Sequence, residues 1–88
     1  MRRKDSFLLR NIGDQSFLVP LGAKAREING LVSLNETGSF IWELLAEDRS
    51  IESLVVEVAR SFSISEKGVQ ADIQSFLDDI KGVGALES

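Results

Sequence analysis

The hydrophobic pattern of this chain changes period at Asn35, and that change restricts the fold more than any other feature. Before it, apolar residues come in short runs separated by turn residues. After it, they recur at helical spacing in three successive stretches. The stretch that carries the change is Leu34-Asn35-Glu36-Thr37-Gly38-Ser39-Phe40-Ile41-Trp42-Glu43-Leu44-Leu45. Asn35 is a good N-cap, because its side-chain oxygen can accept from free N–H groups of a first helical turn. Glu36 then places negative charge at the positive end of the helix dipole. Phe40, Ile41, Leu44 and Leu45 form an apolar stripe. Trp42 lies off its centre and widens the arc to roughly 200° at ~100° per residue. So wide an arc predicts a central helix covered on more than one side. The alternative leaves Trp42 as a partly exposed anchor for a partner.

Upstream of Asn35 the chain reads as sheet. Phe7-Leu8-Leu9 with Ile12 forms one run. Phe17-Leu18-Val19 forms the next, with Phe17, Val19 and Leu21 on one face. Gly13-Asp14 between them suits a two-residue hairpin turn, since glycine at the first central position tolerates positive φ. Pro20 cannot donate to a ladder, so it ends its strand or lies at an edge. Residues 22–27 predict one helical turn or a loop. Asn29-Gly30 then turns the chain into a third strand, Leu31 to Leu34. Three short strands make a small antiparallel sheet that must expose an edge.

Downstream, Glu47-Asp48-Arg49 is a polar break and Ser50 caps a second helix. Its apolar positions are Ile51, Leu54, Val55, Val58, Ala59 and Phe62, a one-faced amphipathic pattern. Ser63-Ile64 is a short connector. Ser65 caps a third helix with the stripe Val69, Ile73, Phe76, Leu77 and Ile80, opposite Asp72, Asp78 and Asp79. Gly82 and Gly84 end it, leaving Ala85-Leu86 as a terminal strand or packed tail. The expected fold is therefore α+β and winged-helix-like: a three-stranded antiparallel sheet followed by three helices, in a single domain over residues 1–88.

Composition narrows the function. The 88 residues include no cysteine and no histidine. That removes disulfides, thiolate nucleophiles, imidazole bases and the commonest zinc ligands. So short a chain has one modest core and no second lobe to close a cleft. Neither an enzyme nor a bound cofactor or metal is expected. No apolar run approaches bilayer length, and Asp5, Arg10 and Asn11 interrupt any signal-like core after Met1-Arg2-Arg3-Lys4. The expectation is a cytoplasmic protein without membrane contact. The charge is uneven: residues 1–44 carry six Lys/Arg and five Asp/Glu, net +1, whereas residues 45–88 carry four and nine, net −5. As a DNA reader the third helix would present Asp72, Gln74, Ser75, Asp78 and Asp79, with Lys67 and Lys81 at its ends. Three carboxylates facing phosphates oppose binding, so no nucleic-acid partner is expected. As a functional surface this face fits a peptide better than a duplex.

The stretch Leu34-Asn35-Glu36-Thr37-Gly38…Ile41-Trp42…Leu44-Leu45 resembles the signature of the pyrroloquinoline-quinone biosynthesis protein D (PqqD) family. The resemblance continues through Ser50-Ile51-Glu52, Asp72-Ile73, Phe76-Leu77 and Gly84-Ala85-Leu86, and covers residues 29–88 well and the first strands weakly. Ala46-Glu47 stands where the family often has Asp-Gly, and Gly68 where a stronger helix former is usual. The resemblance implies a peptide-binding adaptor, a recognition element for ribosomally made precursor peptides. Such a domain binds the leader and presents it to a modifying enzyme, often a radical S-adenosylmethionine protein. In the family the leader adds to the third strand and lies against the third helix. Carried onto this chain, the edge is Asn29, Gly30, Leu31, Val32, Ser33 and Leu34, and the groove wall is Asp72, Ser75, Phe76 and Asp79. Phe76 is expected more as core than as contact. Two other readings stay open: a winged-helix nucleic-acid regulator, and a stand-alone interaction scaffold. Nothing in the pattern specifies an oligomeric state.

Overall fold

A computed structural model describes residues 1–27 and 32–87. In chain order the elements are β1 (Arg2–Arg3), β2 (Phe7–Ile12), β3 (Gln15–Pro20), the single turn α1 (Lys24–Glu27), β4 (Val32–Leu34), α2 (Glu36–Leu44), α3 (Ile51–Phe62), α4 (Glu66–Gly82) and β5 (Leu86–Glu87). The architecture is α+β: an antiparallel sheet in the order β2-β3-β4, followed by three helices.

The hairpin between β2 and β3 follows from Gly13, which takes φ 65°. Positive φ at the first central residue alone is the pattern of a type II′ turn, whose twist matches that of the flanking strands. The register pairs Phe7 with Pro20 and Leu9 with Leu18. Those residues share the inner face: Phe7, Leu18 and Pro20 are buried and Leu9 is half-buried. Phe17, Val19 and Leu21 do share a face, but it is the outer one, half-buried at the first two and 42% exposed at Leu21. The choice of face was hidden because β2 and β3 carry consecutive apolar residues, so period 2 does not distinguish the two sides.

Each predicted cap forms. Asn35 Oδ1 accepts from Gly38 N at 2.7 Å, Ser50 Oγ from Ser53 N at 3.1 Å and Ser65 Oγ from Gly68 N at 3.1 Å. Helix α3 ends with Ser63 in the left-handed region at φ 54°, and Ile64 N returns to Ala59 O at 3.0 Å. Helix α4 ends with Gly84 at φ 79°.

The core is one cluster between the inner sheet face and the helices. Helix α3 contributes Leu54, Val55 and Val58, and α4 contributes Val69, Ile73, Leu77 and Ile80. In α2 the buried stripe is Gly38, Ile41, Trp42 and Leu45, spaced i, i+3, i+4, i+7. Trp42, expected off centre, is therefore central at 1% exposure, and the exposed-anchor alternative falls. Phe40 and Leu44 flank the stripe half-buried, and Phe40 meets Phe62 edge to face, with ring centroids 5.5 Å apart.

The ends of the chain are paired in a way the periodicity did not indicate. β1 and β5 form a two-stranded antiparallel ladder, Arg2 opposite Glu87 and Arg3 opposite Leu86. Of the pair Ala85-Leu86, expected as a terminal strand or a packed tail, Leu86 opens β5 and Ala85 is buried just before it. Arg3 also holds α2: its N–H donates to Leu45 O at 2.9 Å and its Nη1 to Trp42 O at 3.1 Å, while the guanidinium lies 5.6 Å from the Trp42 ring centroid. It occupies the end of α2, where carbonyls lack helical partners.

Candidate functional site

The strand edge beside α4 is set by backbone direction. Leu21 N donates to Ser6 O at 2.8 Å, so the odd-numbered residues of β3 direct their N–H and C=O toward β2. The even-numbered Ser16 and Leu18 then face β4, opposite Leu34 and Val32. Ser33, opposite Phe17, therefore turns its N–H and C=O away from β3. Among the described residues β4 has no strand on that side. The candidate edge residues Asn29, Gly30 and Leu31 lie outside the described residues.

Beside this edge runs an open groove of about 420 Å³. One wall is β4 and the start of α2, with Ser33, Leu34, Asn35 and Thr37. The other is α4, from Val69 through Asp72, Ser75 and Phe76 to Asp79. Gly38, Ile41 and Ile64 complete the lining. Of the residues proposed from sequence, Ser33, Leu34, Asp72, Ser75, Phe76 and Asp79 meet around this one space. Val32 is half-buried on the inner sheet face and is not among its lining residues.

Phe76 has two roles. It is half-buried against the core cluster and it also lines the groove. Its position depends on Gly38: a Cβ there would stand 3.0 Å from Phe76 Cε1 and 3.2 Å from Asn35 Oδ1. Glycine costs ~1 kcal/mol in a helix relative to alanine. Here that cost is offset by the close seating of the Phe76 ring on Gly38 and by the Asn35 cap.

Sequence reasoning missed Asn35, Thr37, Gly38, Ile41, Ile64 and Val69 as lining residues. A glycine in a first helical turn and an isoleucine in a polar connector were the available signals. Ile64 is 48% exposed. The rim is acidic: Asp72 and Asp79 are exposed, and neither pairs with a described cation. Among the described residues no group of histidine, cysteine or carboxylates is placed to hold a metal ion. No helix there is long and apolar enough to cross a membrane.

An outward-facing strand edge beside an open groove can accept an extended chain, its backbone pairing with the edge and alternate side chains entering the groove. The molecule is thus a small α+β fold with, among the described residues, a free strand edge beside a groove. The family profile of coenzyme PQQ synthesis protein D (PqqD) matches residues 17–86, and the chain belongs to the PqqD family. The match reaches back to Phe17, into a strand where the signature residues alone gave little. Among solved structures the fold matches that of TbiB1 in complex with the TbiA(beta) leader peptide. The TM-score is 0.76 and the identity 26%, over 100% of this chain and 96% of that one. Among curated proteins, none matches the chain.

Proposed function

We propose that this protein is a peptide-binding adaptor, which recognises the leader of a ribosomally made precursor peptide and presents the peptide to a modifying enzyme. The leader adds as a strand to the outer edge of β4 and lies in the groove against α4. What carries the reading is the coincidence of an open edge and a groove in a PqqD-family chain whose fold matches a leader-peptide complex.

The mechanism is strand addition. Ser33 supplies one outward N–H and one outward C=O, which in an antiparallel pairing exchange two hydrogen bonds with a single leader residue. Leader residues on the inner side of the added strand then enter the groove, at intervals of two. The main-chain bonds give affinity with little demand on sequence, and the groove supplies the discrimination. The protein does no chemistry itself in this account. It raises the local concentration of the precursor beside an enzyme, the effect of any tether between two binding events. A radical S-adenosylmethionine protein is the enzyme class that the family favours.

The test is a calorimetric titration with candidate precursor peptides, each repeated with its leader removed. Binding by the whole precursor and none by the leaderless form is expected. Equal binding by the two would place recognition outside the leader.

A further inference from the structure

The groove has a chemical polarity of its own. Its floor is apolar, with Leu34 and Ile41 buried and Phe76 half-buried. Its α4 wall carries two exposed carboxylates, Asp72 and Asp79, with Ser75 between them. Among the described residues no lysine or arginine lines it. Spaced i and i+7, the carboxylates lie on one helix face, roughly 10.5 Å apart along the axis at 1.5 Å per residue. The lining follows α4 from Val69 to Asp79, so a chain lying in the groove runs alongside the helix. On an extended chain, side chains at positions i, i+2 and i+4 point the same way, and the outer two are about 13 Å apart. Long, flexible lysine or arginine side chains readily absorb the difference of about 2.5 Å.

We propose that this groove selects extended peptide segments carrying an apolar residue flanked, two positions to each side, by lysine or arginine. The apolar residue sits on the floor near Phe76, and the cations pair with Asp72 and Asp79. This inference rests on the peptide-binding reading above and adds the sequence class. Charge complementarity of this kind acts on partner choice and association rate more than on total affinity, and salt weakens it.

The probes are two nine-residue synthetic peptides with leucine at the centre, threonine and glycine elsewhere, and either lysine or glutamate two positions to each side. Each is titrated into isotope-labelled protein at low and high salt, with D72N/D79N as the companion variant. Because both aspartates are exposed, the variant is expected to fold unchanged. The lysine peptide should bind about tenfold more tightly at low salt, with amide shifts at residues 32–34 and 69–79. High salt and D72N/D79N should each shrink the difference toward onefold. If both peptides bind there equally, the charge selection is wrong and the peptide-binding groove stands. If neither binds, or the shifts fall elsewhere, the groove reading fails and this inference with it.

Discussion

Trp42 shows how much of this fold hangs on single side chains. It is 1% exposed, lies at the centre of the core, and has Arg3 over its ring and on its carbonyl. Trp42→Ala should cost ~3–5 kcal/mol in denaturant unfolding, through lost burial and the cavity left behind. A loss under ~1 kcal/mol would mean that the site is not core. Ser63 gives the opposite sign. It holds a left-handed conformation that costs a non-glycine residue about 1–2 kcal/mol. Ser63→Gly should therefore raise stability by ~0.5–1 kcal/mol after glycine's own entropy cost, read as a higher denaturation midpoint at unchanged slope.

Elements were legible where periodicity and capping agreed, and less so where contacts span the chain. Helices α3 and α4 stood out in the sequence because each shows a cap residue followed by a one-faced stripe. The stripe of α2 was read about one residue off centre, since its true centre includes Gly38, which no hydrophobicity pattern marks. The β1–β5 ladder joins residues more than eighty positions apart, and two-residue strands carry no period. Half of the groove was legible, namely the α4 wall and β4. The α2 contribution was not, because a capping Asn and a helical Gly read as local structure rather than as surface. Gly38→Val tests that part. A branched side chain must displace Phe76 or the Asn35 cap, so a cost of about 1–3 kcal/mol is expected, together with loss of peptide binding. Backbone direction in β4 makes a sharper pair. Val32→Pro removes a donor that faces β3 and should damage the sheet. Ser33→Pro removes the outward donor and should leave folding largely intact while abolishing peptide binding. Circular dichroism and titration of the two variants separate the effects.

At the scale of the whole molecule, the charge distribution and the fold pull toward the same partner. The fold is winged-helix-like, yet the exposed face of α4 carries Asp72, Asp78 and Asp79. Duplex DNA binding at physiological salt should be undetectable in a mobility-shift assay. Micromolar binding that falls steeply with added salt would contradict this. An extended peptide meets no such repulsion, and the open edge and groove lie on the same side of the molecule. The central claim is that the leader becomes a fourth strand of the sheet on β4. Hydrogen exchange at the Ser33 amide tests it most directly, because that N–H faces away from β3 and gains a partner only if a strand is added there. Saturation with the precursor leader should slow exchange at Ser33 by at least about tenfold, while the β3-facing amides of Val32 and Leu34 change less. An unchanged Ser33 amide in a saturated complex, with protection appearing instead on α3, would contradict the account.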